Sequence, residues 1–121
     1  MTYSGIVIQG LQNGRTFGFP TANIVLDEGN ICPSAGVYAV SVFLLNQELK
    51  GMLYVGTRPT LDLQTTTIEI HLFDFEGDIY HKKLTFTIEK KIREEKKFAT
   101  VQQLIEQLKK DKEQIINYFN V

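Results

Sequence analysis

As far as Ile92 the chain reads as short apolar-rich segments separated by turn residues, with apolar and polar positions alternating over Thr66 to Phe75 and from Leu84, and from Thr100 onward apolar residues recur instead at a three-to-four spacing. A period of two places successive side chains on opposite faces of a strand, whereas a period near 3.6 gathers them on one stripe of a helix. The order therefore predicts a β body with a helical cover. Tyr3 to Gln9 reads as the first strand, followed by a loop spaced by Gly10, Gly14 and Gly18 and ending at Pro20. Val37 to Leu45 is apolar on both faces, as in a strand covered on both sides. Leu49 to Val55 follows a polar turn around Asn46 to Glu48, which predicts a hairpin. Thr66 to Phe75 sets Ile68, Ile70 and Leu72 against Glu69, His71 and Phe73, and a tight turn is expected at Glu76-Gly77-Asp78. From Leu84 onward, Leu84, Phe86, Ile88 and Ile92 are assigned to a buried face and Thr85, Thr87, Glu89 and Lys91 to a wet one.

Thr100 with Gln103 three residues later makes a capping-box pattern and sets the expected helix start. Val101, Leu104, Ile105, Leu108, Ile115, Ile116 and Phe119 then form the stripe expected to pack on the sheet. There is no internal repeat and no low-complexity linker.

Composition narrows the class. The 121 residues, 43% hydrophobic and 22% charged, suit one domain with a core of its own. A single cysteine, Cys32, excludes an intrachain disulfide, and with only His71 and His81 beside it a four-ligand Cys/His zinc site is out of reach. No stretch approaches the roughly 18 apolar residues of a membrane span, and no export signal is seen, so a cytoplasmic protein with no membrane partner is expected. The net charge of −1 argues against a general polyanion-binding surface. It conceals a gradient, −5 over residues 1–81 and +4 over residues 82–121, which reads as a solvated basic helix end, and no nucleic-acid partner is expected.

Four segments carry groups suited to chemistry. Gly10-Leu-Gln-Asn-Gly14-Arg15-Thr16 lacks the spacing and the lysine of a P-loop, and Phe17-Gly18-Phe19-Pro20 does not favour a following helix, yet its glycines allow backbone N–H groups to approach an anion. Thr21 and Asn23 after Pro20 read either as turn residues or, if the segment is extended, as two neutral oxygen ligands pointing the same way, an arrangement that suits magnesium, which keeps most of its positions for water and phosphate. Glu69 sits mid-strand between Ile68 and Ile70, where it reads either as an exposed face position or as a general base for a hydroxyl proton; His71 reads as its polar neighbour. Arg93, Lys96 and Phe98 lie on the charged connection before the helix, a solvated linker or a grip on a planar, partly anionic ligand.

Taken together in this order, the segments resemble the riboflavin kinase family, the module that also forms the C-terminal half of bacterial bifunctional riboflavin kinase/FAD synthetases. The resemblance is carried by Gly5-Ile-Val-Ile-Gln-Gly10, Gly14-Arg15-Thr16-Phe17-Gly18-Phe19-Pro20-Thr21-Ala22-Asn23, Gly36-Val37-Tyr38-Ala39-Val40, Gly56-Thr57-Arg58-Pro59-Thr60, Glu69-Ile70-His71-Leu72-Phe73-Asp74 and Ile92-Arg93-Glu94-Glu95-Lys96-Lys97-Phe98. It implies a mainly β fold: a closed six-stranded antiparallel Greek-key barrel over about residues 1–98, with a C-terminal α-helix over about 100–119, in one kinase domain spanning 1–121. It also implies transfer of the ATP γ-phosphoryl group to the 5'-hydroxyl of riboflavin, giving FMN and ADP. The implied metal is Mg2+, or Zn2+ as in some members, with riboflavin and ATP as the small-molecule partners of a monomer. A covalently linked adenylyltransferase domain is compatible with the family, but no His-x-Gly-His pattern is present for that second reaction.

By the same resemblance Glu69 is the catalytic base, and Thr21 and Asn23 place the metal and the ATP phosphates. Gly10, Arg15, Leu72, Asp74 and Tyr80 join them around the nucleotide, and Arg93, Lys96 and Phe98 face the flavin. Two departures stand out: His81 occupies the place of a glycine common in the family after the tyrosine matching Tyr80, and the Gly10 to Gly18 loop is shorter than in some relatives. A flavin-binding regulatory module without turnover, and an electron-transfer barrel holding FMN as a cofactor, are the competing readings. Neither has a chemical need for a base beside metal ligands, so the set of Thr21, Asn23 and Glu69 favours the enzyme.

Overall fold

The computed structural model describes residues 1–8, 21–60, 63–75 and 79–120, with the side chains of 57–60 and 63–65 left aside. Six strands, β1 (Thr2–Ile8), β2 (Ala22–Leu26), β3 (Gly36–Leu44), β4 (Gln47–Thr60), β5 (Leu63–Leu72) and β6 (Lys83–Arg93), precede one helix, α1 (Val101–Phe119). They close into an antiparallel barrel in the order β1-β2-β5-β4-β3-β6, with non-sequential neighbours at β2–β5, β3–β6 and β1–β6. The expected Greek-key barrel with its terminal helix is thus the observed fold. Closure gives each of the six described strands a neighbour on both sides.

The alternation read from the sequence sorts the side chains. Tyr3, Val7, Tyr38, Val40, Val42, Leu53, Val55, Ile68, Ile70, Leu84 and Phe86 fill the interior, where the Tyr3 and Phe86 rings stack at 5.3 Å. Gly5 lets β1 and β2 close on one another: a Cβ there would lie 2.5 Å from the Val25 carbonyl oxygen. The alternate residues of β3 and β4, Val37, Ala39 and Met52, form a second cluster outside the barrel with Phe73 and Ile115, and Leu108, Phe119, Tyr54 and Ile92 pack onto it. This explains why β3 is apolar on both faces: one faces the barrel interior and the other lies under α1.

The strand bounds differ from the expectation where tertiary pairing extends them. β4 runs on to Thr60 and β5 starts at Leu63, while Phe73 and Asp74 turn away from β5 instead of prolonging it. The β3–β4 turn is Leu45-Asn46, with φ of 51° and 63°, the two left-handed residues of a tight type I′ hairpin. Ala22–Leu26 supplies the sixth strand, which the pattern alone did not single out. Ile92 does not share the face of Leu84, Phe86 and Ile88. Register shifts between Val37/Tyr38 and Ala39/Val40 interrupt the β3–β6 ladder, so Ile92 falls in the cluster under the helix. The turn expected at Glu76-Gly77-Asp78 lies outside the described residues.

α1 starts as the capping pattern predicts. Thr100 accepts a hydrogen bond from the Gln103 backbone N–H at 3.2 Å, and Gln103 reaches back to the backbone N–H of Ala99 at 3.1 Å. The buried stripe, however, is narrower than expected. Val101 and Ile116 are exposed, and the positions that turn inward between Leu108 and Ile115 include Asp111, a carboxylate only 1% exposed. Arg93 at the end of β6 offsets its charge: Nε donates to both Asp111 carboxylate oxygens at 3.0 Å, and Gln107 Nε2 donates at 2.9 Å. Arg93 Nη2 lies 2.8 Å from Oδ2 but off the line of its N–H bonds, so that approach adds charge attraction without a further hydrogen bond. No helix among the described residues is long and apolar enough to cross a membrane.

Candidate active site

One row of cross-strand partners runs across all six strands. Ile8 of β1 faces Asn23 of β2, Asn23 faces Glu69 of β5, Glu69 faces Tyr54 of β4, Tyr54 faces Val37 of β3, and Val37 faces Arg93 of β6. Residues directly opposite on neighbouring antiparallel strands share a face and lie about 5 Å apart at Cβ. Val37 belongs to the outer cluster and Leu53, Val55, Ile68 and Ile70 to the interior, so the row presents its side chains outward. Asn23, Glu69, Tyr54 and Arg93 are thereby set along one band of the outer wall, although they stand far apart in sequence.

The band explains why a glutamate is accepted in the middle of β5. Its neighbours Ile68 and Ile70 point into the core, and Glu69 points to the half-open exterior with Asn23 on one side and Tyr54 on the other. Thr21, one residue before β2, donates its hydroxyl to Glu69 Oε1 at 3.2 Å. Thr21, Asn23 and Glu69 therefore come together, with two neutral oxygen groups beside a carboxylate.

The remaining candidates divide. Gly10 and Arg15 lie outside the described residues. Leu72 is at the end of β5, three residues from Glu69, and so packs against the barrel interior on the opposite face. Asp74 is exposed in the following turn with φ of 55°. Tyr80 is exposed, its ring 3.8 Å from that of His81. His81 itself has φ of 68°, the left-handed backbone that a glycine adopts freely, so the departure from the family pattern keeps the turn at a steric cost. That turn is tied to the end of β1 by the His81 N–H to Val7 carbonyl bond of 2.9 Å, which brings Tyr80 to the barrel end where Ile8 and Asn23 pair.

On the connection between β6 and α1, the Arg93 guanidinium is engaged by Asp111 and lies over the Phe98 ring, 5.8 Å from its centroid. Lys96 is exposed. Arg93 thus anchors the connection to α1, and Phe98 packs beneath that anchor.

Two residues of this region were not singled out from the sequence. Tyr54 is half-buried between Glu69 and Val37 in the row, and its hydroxyl donates to Glu95 Oε2 at 3.4 Å. Burial first, then the Glu95 charge and hydrogen bond, and more weakly the Glu69 charge push its phenol above its ordinary value of 10.0, with Arg93 opposing. Hairpin geometry across Leu45-Asn46 would have paired Tyr54 with Val37, but its place beside Glu69 depends on the β4–β5 register. Asp111 was legible as the residue continuing the Leu104, Leu108, Ile115 and Phe119 spacing, a polar interruption of an apolar stripe.

The riboflavin kinase (flavokinase) family profile matches residues 1–119. The chain is 40% identical over 119 residues to the bifunctional riboflavin kinase/FMN adenylyltransferase of Bacillus subtilis (strain 168), covering 96% of this chain and 38% of that relative's length. Among solved structures, a chain crystallised under the description macrolide-efflux protein, from Streptococcus pneumoniae, superposes with a TM-score of 0.89 at 39% identity, over 96% of this chain and 38% of the other. The riboflavin kinase of Trypanosoma brucei shares the fold, with a TM-score of 0.65 at 22% identity over 98% of this chain and 79% of its own. With the family profile running from the first strand to the end of the helix, and with the barrel and Glu69-centred row in place, the chain belongs to the riboflavin kinase family.

Proposed function

We propose that this chain transfers the γ-phosphoryl group of ATP to the 5'-hydroxyl of riboflavin, giving FMN and ADP, with Glu69 as the base. The observation that carries the reading is the contact of Thr21 with Glu69 beside Asn23 on the outer wall, which supports a carboxylate and neutral oxygen ligands acting on one hydroxyl and one phosphate chain. Phosphoryl transfer asks for an in-line hydroxyl, stabilised charge on the transferring group and little water. Glu69, held by the Thr21 hydroxyl, orients the ribityl 5'-hydroxyl and accepts its proton as the new O–P bond forms and the bond to ADP breaks.

The donor set fits magnesium better than zinc. Thr21 and Asn23 offer hard, neutral oxygens, whereas zinc sites favour nitrogen and sulfur. Magnesium also takes most of its ligands from phosphates and water, so two protein oxygens suffice for it. Thr21 and Asn23 would hold Mg2+, which when bound supplies charge neutralisation at the phosphate oxygens. Gly10, Arg15, Asp74 and Tyr80 remain assigned to the nucleotide side, with Leu72 supporting that wall from the barrel interior, and Lys96 and Phe98 to the flavin side. Arg93 acts there through the connection it anchors. The B. subtilis relative, of which the chain spans 38%, is a bifunctional riboflavin kinase/FMN adenylyltransferase, so the proposed kinase activity is compatible with a covalently linked adenylyltransferase domain.

The test is chromatographic separation of FMN and ADP after mixing the purified chain with riboflavin, ATP and Mg2+, alongside an EDTA control. Equal, metal-dependent formation of both products is expected. Riboflavin binding without FMN would favour the regulatory module.

A further inference from the structure

We propose that Tyr54 is a positioning residue for the flavin side of the site, holding the connection between β6 and α1 against the wall that carries Glu69; the proposal rests on the kinase reading above. Glu94 to Ala99 leave β6 without regular structure, and two fastenings flank the site side of this stretch. One is the Arg93–Asp111 pair to α1. The other is the Tyr54 hydroxyl donated to Glu95 Oε2 at 3.4 Å.

The fit around this second fastening is close. A Cβ on Gly56 would stand 2.5 Å from Tyr54 Cε1 and 2.9 Å from Glu95 Oε2, so the missing side chain at Gly56 makes the slot in which the ring and the carboxylate meet. Tyr54 packs on the cluster of Val37, Ala39, Met52 and Ile115 beneath the helix, and its strand partner is Glu69. The phenol therefore spans from the helix-covered wall to the connection bearing Lys96 and Phe98. Glu95 has no need to touch riboflavin for this: by fixing Glu95, Tyr54 fixes where Lys96 and Phe98 stand relative to the Glu69 carboxylate.

A single hydrogen bond of this length to a half-exposed carboxylate has a modest net value, enough for about a fivefold effect on an equilibrium. The experiment measures riboflavin Kd by flavin fluorescence, steady-state kcat, KM for riboflavin and KM for ATP in the full chain, for the parent, Tyr54→Phe, Glu95→Ala, Glu95→Gln and the Tyr54→Phe/Glu95→Ala double variant. Tyr54→Phe keeps the ring in its slot, so folding and the melting temperature stay near those of the parent. Riboflavin Kd and KM are expected to rise about fivefold, with kcat and KM for ATP within about twofold. Glu95→Ala should raise the riboflavin constants at least as much, the double variant should be no worse than Glu95→Ala, and Glu95→Gln, which retains an acceptor, should restore near-parent values.

Equal effects on the riboflavin and ATP constants, additive losses in the double variant, or unchanged riboflavin Kd in Tyr54→Phe would each overturn the role. A parent chain that forms no FMN would overturn the kinase reading instead. The riboflavin Kd series would still decide the role of Tyr54 in binding.

Discussion

Replacing Asp111 by alanine should be among the most damaging single changes to the docking of α1. Asp111 is 1% exposed and the Arg93 side chain 14%, so the variant leaves a guanidinium largely withdrawn from water with no carboxylate beside it. Breaking one side of a buried pair costs about 3–5 kcal/mol, and the residual exposure of Arg93 places this case near the lower limit, at about 3 kcal/mol. With an unfolding entropy near 2.1 cal/mol/K per residue, 121 residues lose about 4 °C per kcal/mol, so the melting temperature should fall by about 12 °C. Urea unfolding followed by far-UV circular dichroism gives the free energy, and an unchanged m-value would locate the effect in the folded state. The double variant Arg93→Met/Asp111→Leu removes both desolvation penalties and should recover to within about 1 kcal/mol of the parent. A loss below about 1 kcal/mol for Asp111→Ala, or a double variant as unstable as the single one, would refute the buried-pair reasoning.

Glu69→Gln should keep the fold and riboflavin binding while turnover drops by at least about 100-fold, as measured by FMN formation; near-parent turnover would remove Glu69 from the role of base. Thr21→Ala should weaken metal-dependent nucleotide binding more than flavin binding by isothermal titration, whereas equal losses would point to a damaged β2 entry. Leu45 is exposed with φ of 51° in the β3–β4 turn, so Leu45→Asn should raise stability by about 0.5–1 kcal/mol in the same urea assay, and a decrease would contradict the type I′ assignment. The raised Tyr54 pKa means that above the ordinary value of 10.0 the unfolded chain sheds this proton before the folded chain does. Its contribution to stability is thus fully present below that value and declines as pH rises towards the folded pKa. The parent should lose stability more steeply than Tyr54→Phe across that window, and parallel curves would count against the burial and Glu95 charge as causes.

How much of the site could be read beforehand depends on how local its signals are. Thr21 and Asn23 are two residues apart, so their common direction follows once that segment is extended, which the pairing of β2 with β1 and β5 decides. Glu69 was legible as a carboxylate on the outer face of an alternating strand, where an exposed position and a general base read alike, and its contact with Thr21 spans 48 residues and requires the β2–β5 pairing. Tyr54 carried no local anomaly, because a tyrosine in a β-strand is unremarkable, and it acquires meaning only from a partner on either side. Arg93 was noticed as a charge on a connection, while its partner Asp111 belonged to a helix whose stripe was read by its apolar members only.

What the sequence determined by itself was local periodicity and chain termination: strands wherever apolar residues alternate, a hairpin between β3 and β4, and a helix begun by Thr100 and Gln103. Its motifs, taken as a set, also identified the family. Tertiary structure decided the register that brings Asn23, Glu69, Tyr54 and Arg93 into one row, the shift that turns Ile92 under the helix, and the burial of Asp111. The physical reason is that periodicity specifies which face a side chain occupies, whereas cross-strand partners are selected only when the barrel closes and every buried polar group must find its counterpart.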